Sequence, residues 1–353
     1  MRAAVYHGRC DLRLEDVPEP VAGPGDVKLR VLYNGICGSD LHEYYAGPIT
    51  TRATGNPHPL TGVTNPVIFG HEFCGEVVAL GDGVEDLEIG DRVAVEPLET
   101  CGRCLACGSG RYNHCPIVAF HGYNRSGGGL AEYTVVRRRM AHRLPPALTA
   151  AQGALIEPLA VAASTVRRCR VESGQTVAVH GAGPIGIGVY LTLRARGVRV
   201  IVSDPSPVRR RVMTALGAPH VLDPREVDVV GAIRDLTRGF GADASVDAAG
   251  VPAAFRAAVH GTAVDGNVVV VAIHEHPIEI PPFDLLMPEV RITGVAMYCN
   301  DFPDVIENMA RGTYPTNGWV SSIPFERLLD DGFEKLRRQE GLKILVDVGG
   351  AAA

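Results

Sequence analysis

Short apolar runs separated by glycine, proline and charged residues fill roughly the first 150 positions of the chain. Each run is four to eight residues long and rich in valine, which is typical of β-strands rather than helices. The runs are residues 3–6, 27–33, 73–80, 91–97 and 130–136. This pattern predicts an irregular, mostly antiparallel β domain.

From about residue 154 the pattern changes to strands that alternate with helices of ten or more residues. The predicted strands are residues 176–180, 198–204, 242–250 and 266–273. The predicted helices are residues 184–197, 207–218, 228–241 and 252–263. Such alternation predicts βαβ units and a doubly wound parallel sheet.

The alternation fades after about residue 296. Two helices, 303–312 and 328–340, and a closing strand, 342–348, are predicted in this tail. We expect the tail to pack back onto the N-terminal domain.

Composition and charge narrow the class of protein. The chain has 353 residues, 46% hydrophobic and 21% charged, as in an ordinary globular protein. A net charge of −6 argues against nucleic acid or an anionic membrane as partner. The longest apolar run, 177–193, holds a histidine, a proline and four glycines, so it predicts a strand, a turn and a buried helix rather than a membrane span. No targeting segment is visible, and a cytoplasmic location is expected.

A G-x-G-x-x-G motif follows the predicted strand 176–180 and opens the next predicted helix. Its defining positions are Gly181, Gly183, Pro184, Ile185 and Gly186. Glycines here let the backbone approach a pyrophosphate at the helix N-terminus. Asp204 follows 18 residues after Gly186, where a carboxylate would bind the adenosine ribose and favour NAD over NADP. Arg209 and its two neighbours weaken that preference, since they could pair with an extra phosphate. The alternative is an ordinary glycine-rich turn.

Four cysteines lie within 15 residues, and tetrahedral Zn²⁺ takes four such thiolates in a closed, structural site. They are Cys101, Cys104, Cys107 and Cys115. An iron–sulfur cluster is the competing metal site, and a chance group of buried thiols is a further alternative. Nine cysteines in a chain of this length do not suggest a disulfide framework.

A second group of reactive side chains begins in the stretch "GICGSDLHEYY". It comprises Cys37, Ser39, Asp40, His42, His71, Glu72 and Glu157. A catalytic zinc needs three protein ligands and an open position, and Cys37, His71 and a carboxylate would provide them. Each residue alone has a structural explanation, such as a buried cysteine or a helix cap. Together with the other two motifs they indicate a zinc- and nucleotide-dependent enzyme.

These motifs resemble those of the zinc-dependent medium-chain dehydrogenases/reductases, the alcohol dehydrogenase superfamily. The resembling segments are residues 35–42, 70–84, 90–97, the four-cysteine loop, 127–133, 181–186 and 342–348. Within the superfamily the chain is most similar to the (R,R)-2,3-butanediol dehydrogenase branch, in residues 42–49, 58–62, 157–162 and 203–210.

The resemblance implies a fold. It predicts a GroES-like, mostly β catalytic domain from residues 1–158 and 297–353, with a Rossmann-type NAD-binding domain, 159–296, between them. Relatives are dimers or tetramers, and the apolar segment 290–298 is the expected sheet edge for pairing two nucleotide domains.

The resemblance also implies residue roles. Cys37, His71 and Glu157 match the ligands of the catalytic zinc, and Glu72 lies close to the metal and sometimes ligates it, so which glutamate binds at rest is left open. The other matches are Ser39, which contacts the substrate alcohol; His42, the end of the proton relay; Asp40, behind the zinc site; and Lys343, near the coenzyme pyrophosphate.

The implied activity is hydride transfer between a secondary alcohol or vicinal diol and NAD, most closely 2,3-butanediol and acetoin. The alternatives are a polyol, sugar-alcohol, threonine or aminocyclitol dehydrogenase, or a non-catalytic protein that binds zinc and nucleotide.

Overall fold

The computed structural model describes residues 1–350. Its strands, numbered in chain order, are β1 (Arg2–Gly8), β2 (Asp11–Asp16), β3 (Asp26–Gly35), β4 (Val67–Ile68), β5 (Glu72–Leu80), β6 (Arg92–Val95), β7 (Leu98–Glu99), β8 (Ala119–Phe120), β9 (Tyr133–Arg137), β10 (Ala141–Arg143), β11 (Thr176–His180), β12 (Arg199–Ser203), β13 (His220–Leu222), β14 (Ala242–Asp247), β15 (Thr262–Val270), β16 (Arg291–Gly294), β17 (Val320–Pro324) and β18 (Lys343–Asp347).

The α-helices are α1 (Gly38–Ala46), α2 (Leu105–Gly108), α3 (Ala150–Gly153), α4 (Ile156–Cys169), α5 (Pro184–Ala195), α6 (Pro207–Ala215), α7 (Val229–Leu236), α8 (Pro252–Gly261), α9 (Phe283–Leu286), α10 (Phe302–Ala310) and α11 (Glu334–Arg337). None of the helices within residues 1–350 has the length and apolar character that a bilayer crossing requires.

The chain divides into two compact units. The first contains Met1–Glu157, Phe302–Ala310 and the chain from Val320 onward, and the second contains Pro158–Asp301 and Arg311–Trp319. The first two boundaries lie close to the predicted ones. The segment Arg311–Trp319 lies in the second unit, whereas the sequence-based boundaries assign it to the catalytic domain.

Side-chain contacts explain why Arg311–Trp319 belongs to the second unit. The hydroxyl groups of Tyr314 and Thr192 are 3.1 Å apart, and both side chains are buried. Trp319 is also buried, and its indole nitrogen donates to the carbonyl oxygen of Pro315 at 2.8 Å. The contact between Tyr314 and Thr192 spans more than a hundred positions, so strand and helix periodicity does not reveal it.

The first unit is built on a seven-stranded, mainly antiparallel sheet. Its order is β10-β6-β5-β3-β18-β17, and β9 also pairs with β3. A three-stranded sheet, β2-β1-β4, lies in the same unit. The core includes aliphatic side chains of the central strands, such as Leu29 and Val77, together with the aromatic rings of Tyr6 and Phe69. The five runs predicted as strands all contain strands here.

The second unit is a six-stranded parallel sheet with the order β13-β12-β11-β14-β15-β16. Strand order reverses between β11 and β14, which places a ligand crevice at the carboxyl ends of these two strands. The predicted strands and helices of this unit all form. The fold class predicted from the sequence is therefore confirmed.

The C-terminal tail differs in detail from the prediction. The predicted helix 328–340 is a π-helical segment, Leu328–Phe333, followed by the short helix α11. A Cβ atom on Gly332 would lie 2.6 Å from Cδ1 of Ile36, so the wide turn brings this glycine close to the residue that follows β3. Strand β17 has no counterpart in the sequence-based prediction.

Candidate active site and metal centres

Strand pairing brings the first group of reactive residues together. Gly35, the last residue of β3, pairs with Glu72, the first residue of β5. A Cβ atom on Gly35 would lie 2.3 Å from Oε2 of Glu72, so the glycine lets this carboxylate approach the end of β3 closely. Cys37 follows two residues after Gly35, and His71 precedes Glu72. The register of β3 and β5 thus sets the separation of Cys37 and His71.

Cys37 is the N-cap of helix α1. The carboxylate of Asp40 accepts a hydrogen bond from the backbone N–H of Cys37 at 2.9 Å, the reciprocal half of a capping box. Asp40 is the third residue of the helix, so it closes this box from within α1. The box fixes Cys37 next to Asp40, which is fully buried.

Three metal-ligating side chains converge at this point. The ligand atoms of Cys37, His71 and Glu72 lie within 4.8 Å of one another. His71 and Glu72 are buried, while Cys37 is half-buried. A thiolate, an imidazole and a carboxylate are ligands that zinc accepts in catalytic sites.

Glu157 is not within that distance of the three. It is buried near the start of α4, and its negative charge contributes to raising the pKa of Lys343. It therefore lies beside the cluster. Its role as a zinc ligand stays a prediction.

Lys343 lies in the same cluster, at the start of β18. Its ammonium group pairs with Glu72 and donates to the carbonyl oxygen of Ile36 at 3.0 Å. Burial lowers the pKa of Lys343, but the charges of Glu72 and Cys37 outweigh burial and raise the pKa above its usual value. The sequence pointed to a role at the coenzyme pyrophosphate, which stays a prediction. Nothing in the sequence pattern predicts the contact between Lys343 and Glu72.

The balance of charge fits a bound cation. Asp40, Glu72 and Glu157 are three buried carboxylates next to a cysteine. Within residues 1–350 the cationic groups among them are only two, Lys343 and the imidazolium form of His71. Burying several anions is costly unless further positive charge lies beside them. The residues present therefore fit a divalent metal held by Cys37, His71 and a glutamate.

Asp40 lies beside the imidazole of His71. Nδ1 of His71 is 3.4 Å from Oδ1 of Asp40, which is an ion-pair separation without hydrogen-bond geometry. Burial lowers the pKa of His71, but the negative charge of Asp40 outweighs burial and raises the pKa well above the ordinary value. A metal that binds a ring nitrogen of His71 must displace the proton on that nitrogen.

Ser39 and His42 lie three residues apart on α1 and so share one helix face. Both are half-buried. The Ser39 hydroxyl oxygen is 3.4 Å from Nε2 of His71, which places it beside the proposed metal position. The relay roles of both residues stay predictions.

Tyr123 was not singled out from the sequence. Its hydroxyl oxygen lies 2.6 Å from Oδ1 of Asp40 and 3.0 Å from Oγ of Ser39. Gly122 makes this possible, because its φ is +96° and a Cβ atom there would lie 2.4 Å from the carbonyl oxygen of Gly70. The turn carrying Tyr123 thus packs directly on the turn before His71.

The four-cysteine loop forms a second cluster. The Sγ atoms of Cys101, Cys104, Cys107 and Cys115 lie within 4.8 Å of one another. The Cys101–Cys107 and Cys104–Cys107 sulfur separations are 4.0 and 3.4 Å. Tetrahedral zinc with Zn–S bonds of about 2.3 Å requires sulfur separations of about 3.8 Å, so the four thiols fit a closed zinc site. Backbone N–H groups of Arg103 and Cys104 lower the pKa of Cys101 to about 6.

The glycine motif lies in the turn between β11 and α5. Gly181 has φ of +102°, and a Cβ atom on Gly186 would lie 1.9 Å from the carbonyl oxygen of Gly181. A Cβ atom on Gly183, by contrast, would meet nothing within 4 Å. Gly183 is the N-cap of α5 and Pro184 is its first residue. The motif thus leaves open space at the N-terminus of a twelve-residue helix, as a bound pyrophosphate requires.

Asp204, just after β12, is buried beside this turn. Its carboxylate accepts hydrogen bonds from the backbone N–H of Ala182 at 2.8 Å and of Ser206 at 2.7 Å. Arg209 lies 3.6 Å from the same carboxylate. A cavity of about 590 Å³ adjoins the turn, lined by Gly181, Ser203 and apolar residues such as Val229. Its position at the carboxyl ends of the strands fits the adenosine part of a dinucleotide.

Comparisons with known proteins agree with this geometry. Residues 23–146 match the family described as alcohol dehydrogenase GroES-like domain, and residues 184–311 match the zinc-binding dehydrogenase family. The (R,R)-butanediol dehydrogenase of Bacillus subtilis (strain 168) is 41% identical over 351 residues, covering 98% of this chain and 99% of that protein. The sorbitol dehydrogenase of the same organism is 34% identical over 352 residues, covering 98% and 97%. The crystal structure of 2R,3R-butanediol dehydrogenase from Bacillus subtilis superposes with a TM-score of 0.92 at 40% identity, covering 98% of this chain and 99% of that one.

The chain therefore belongs to the zinc-binding medium-chain dehydrogenases of the alcohol dehydrogenase superfamily. The resemblance seen in the sequence, the enzyme class and the zinc and nicotinamide cofactors expected of that class are confirmed.

Proposed function

We propose that the protein is an NAD-dependent zinc dehydrogenase of secondary alcohols or vicinal diols, with 2,3-butanediol and acetoin as the substrate pair. The observation that carries this proposal is the convergence of Cys37, His71 and Glu72 beside the hydroxyl of Ser39. The similarity to butanediol dehydrogenases over nearly the whole chain supports the choice of substrate.

The residues act on the substrate hydroxyl as follows. A zinc ion held by Cys37, His71 and a glutamate would supply a Lewis acid at the substrate oxygen, and a nicotinamide coenzyme would supply the hydride acceptor or donor. Ser39 accepts a hydrogen bond from the substrate hydroxyl. His42, on the same face of α1, is the final acceptor of the proton that the substrate releases, since an imidazole exchanges protons readily near neutral pH. Asp40 places a negative charge beside the imidazole of His71.

Two glutamates compete for the metal in this proposal. Glu72 lies within ligand distance of Cys37 and His71 but pairs with Lys343. We propose that Glu157 completes the zinc site while Glu72 stays with Lys343. The zinc content of the Glu157→Ala and Glu72→Ala variants tests this assignment. Loss of the catalytic zinc in Glu157→Ala supports it. Loss only in Glu72→Ala would show that Glu72 is the ligand.

The coenzyme in this proposal is NAD. The buried carboxylate of Asp204 lies at the end of β12, where it would accept hydrogen bonds from ribose hydroxyls and repel a 2′-phosphate. Arg209 is the residue that opposes this preference, because it lies beside Asp204. A higher kcat/KM with NAD than with NADP is expected.

The second candidate is a polyol or sugar-alcohol dehydrogenase. The relative that favours it is the sorbitol dehydrogenase at 34% identity. Both candidates use the same zinc cluster and differ only in the substrate.

Initial rates of NAD reduction decide between them. The substrates are (R,R)-, (S,S)- and meso-2,3-butanediol, sorbitol and threonine, each compared at equal concentration. Preference for the (R,R) and meso diols supports the proposal, and turnover of sorbitol alone supports the second candidate. Absence of turnover with every alcohol, in protein that contains zinc, would contradict both.

We also propose a homodimer or homotetramer. Strand β16 is one of the two outer strands of the parallel sheet, and an outer strand offers its unpaired backbone groups to another copy.

A further inference from the structure

We propose that Tyr123 is a positioning residue, whose hydroxyl group makes Ser39 a hydrogen-bond acceptor toward the substrate alcohol. This inference rests on the proposed function, because it concerns the hydrogen bond that Ser39 accepts from the substrate hydroxyl. The residues that carry it are Tyr123, Ser39 and Asp40, which form one chain of hydrogen bonds.

The first step concerns Asp40, which is the last acceptor in this series of hydrogen bonds. This carboxylate is fully buried and accepts the backbone N–H of Cys37. Its Oδ1 atom lies 3.4 Å from Nδ1 of His71 and 2.6 Å from the hydroxyl oxygen of Tyr123. A carboxylate surrounded by these N–H and O–H groups accepts hydrogen bonds.

The second step concerns the single hydrogen of the Tyr123 hydroxyl. The distance to Oδ1 of Asp40 is 2.6 Å and the distance to Oγ of Ser39 is 3.0 Å. Hydrogen bonds from a hydroxyl to a carboxylate are short, about 2.5–2.7 Å, and roughly twice as strong as neutral ones. Tyr123 therefore donates to Asp40, and its oxygen is left as an acceptor.

The third step concerns Ser39. Since Tyr123 has given its hydrogen to Asp40, the contact between the two hydroxyls needs the hydrogen of Ser39. Ser39 then points its hydrogen at Tyr123 and keeps its lone pairs for another donor. The hydroxyl group of a substrate alcohol is such a donor, so Ser39 is oriented to accept it before the substrate arrives.

The ring of Tyr123 holds this hydroxyl in a fixed position. It lies 5.0 Å from the ring of His71 and 5.6 Å from that of Phe69, centroid to centroid, and the residue is buried. Replacing tyrosine by phenylalanine keeps this packing and removes the hydroxyl. The substitution Tyr123→Phe therefore isolates the hydrogen bond.

Tyr6→Phe is the matched control. Tyr6 is also buried and stacks on Phe69 at 4.5 Å, and its hydroxyl donates to the carbonyl oxygen of Glu43 at 2.9 Å. The Tyr6→Phe substitution removes a phenolic hydroxyl from the same aromatic cluster, and this hydroxyl does not contact Ser39 or Asp40. Thermal midpoint and zinc content are measured for both variants.

The experiment measures kcat, KM and the solvent deuterium isotope effect with NAD and the alcohol that wild-type enzyme turns over fastest. We expect Tyr123→Phe to lower kcat roughly tenfold and to increase the isotope effect, because the proton leaves the substrate less readily. Zinc content and the dissociation constant for NADH stay as in wild type. Tyr6→Phe keeps the wild-type kcat and isotope effect.

A double-mutant cycle with Ser39→Ala separates positioning from a structural role. If Tyr123 acts through Ser39, Tyr123→Phe changes kcat less than twofold when Ser39 is already alanine. An equal loss in both backgrounds, or a loss of zinc, would show that Tyr123 acts through Asp40 and the metal site and would overturn the inference.

Failure of this inference differs from failure of the proposed function. An active wild-type enzyme whose Tyr123→Phe variant has unchanged kcat and isotope effect overturns the inference alone. A wild-type protein that turns over none of the alcohols overturns the proposed function and this inference with it.

Discussion

His180 is a buried histidine at the point where β11 meets the glycine turn. Its Nδ1 lies 3.0 Å from the hydroxyl oxygen of Ser203, and its Nε2 is buried without a hydrogen-bond partner in the part of the chain that the structure describes. Burial lowers the pKa of His180 to about 4, although the charge of Asp247 opposes this. The folded protein therefore holds His180 as a neutral imidazole.

This shift predicts a loss of stability in acid. An unfolded chain protonates the imidazole below about pH 6.5, while the folded protein does so only near pH 4, so stability falls as pH falls through that window. At pH 5 the loss from this one group is about 2 kcal/mol. We expect His180→Leu to reduce the drop in thermal midpoint between pH 7.5 and pH 5 relative to wild type. His220→Leu, at an exposed strand position, is the control and keeps the wild-type drop. Equal drops in all three proteins would refute the role of His180.

Helix α1 also controls the long segment that follows it. Glu43, buried on this helix, accepts hydrogen bonds from the backbone N–H of Thr50 at 2.7 Å and from the hydroxyl of Thr51 at 2.7 Å. Asn124 holds the same segment by donating to the carbonyl oxygen of Thr50 at 2.8 Å. Residues 47–66 are thus tied to the turn that carries Tyr123, although the segment has almost no regular structure.

Removing the Glu43 carboxylate should release this segment. Glu43→Ala leaves the donors of Thr50 and Thr51 without their acceptor, and each bond to a charged group contributes about 1.5–3 kcal/mol. We expect trypsin to cleave native protein after Arg52 at least roughly tenfold faster, as followed by mass spectrometry. Glu85→Ala, at an exposed position, is the control. Unchanged cleavage, at an unchanged thermal midpoint, would show that Glu43 does not hold the segment.

The four-cysteine loop predicts a second, separable metal. Cys104→Ser removes one thiolate from the closed site, so the zinc content should fall from about two to about one per chain with a lower thermal midpoint. Cys10→Ser, at an exposed cysteine outside both clusters, should keep both values. A zinc content unaffected by Cys104→Ser would mean that the loop holds no zinc.

At the scale of the whole molecule, sequence patterns predict local features and miss long-range contacts. The glycine motif and the cysteine loop are local, because the turn between β11 and α5 and the metal loop each lie within a few consecutive residues. Tyr123 meets Ser39 across 84 positions, and Lys343 meets Glu72 across 271. No sequence motif predicts either contact, since both contacts depend on how β3, β5 and β18 pair. The chemistry of the site is therefore readable from the sequence, whereas the side chains that orient it need the fold.

The predicted homo-oligomer pairs two copies of the chain through the β16 edge of the parallel sheet. Exposed apolar side chains lie near β16, among them Phe283 and Leu286, each 66% exposed, and Ile292 on the strand itself, 40% exposed. An apolar surface next to an unpaired strand edge favours pairing with a second copy. We expect light scattering to show a dimer or tetramer, and the double substitution Leu286→Lys with Ile292→Lys to lower the mass of the particle. Phe240→Lys, at a side chain 78% exposed elsewhere in the same unit, should leave the mass unchanged. A monomeric wild type, or a double variant with the wild-type mass, would exclude this edge as the interface.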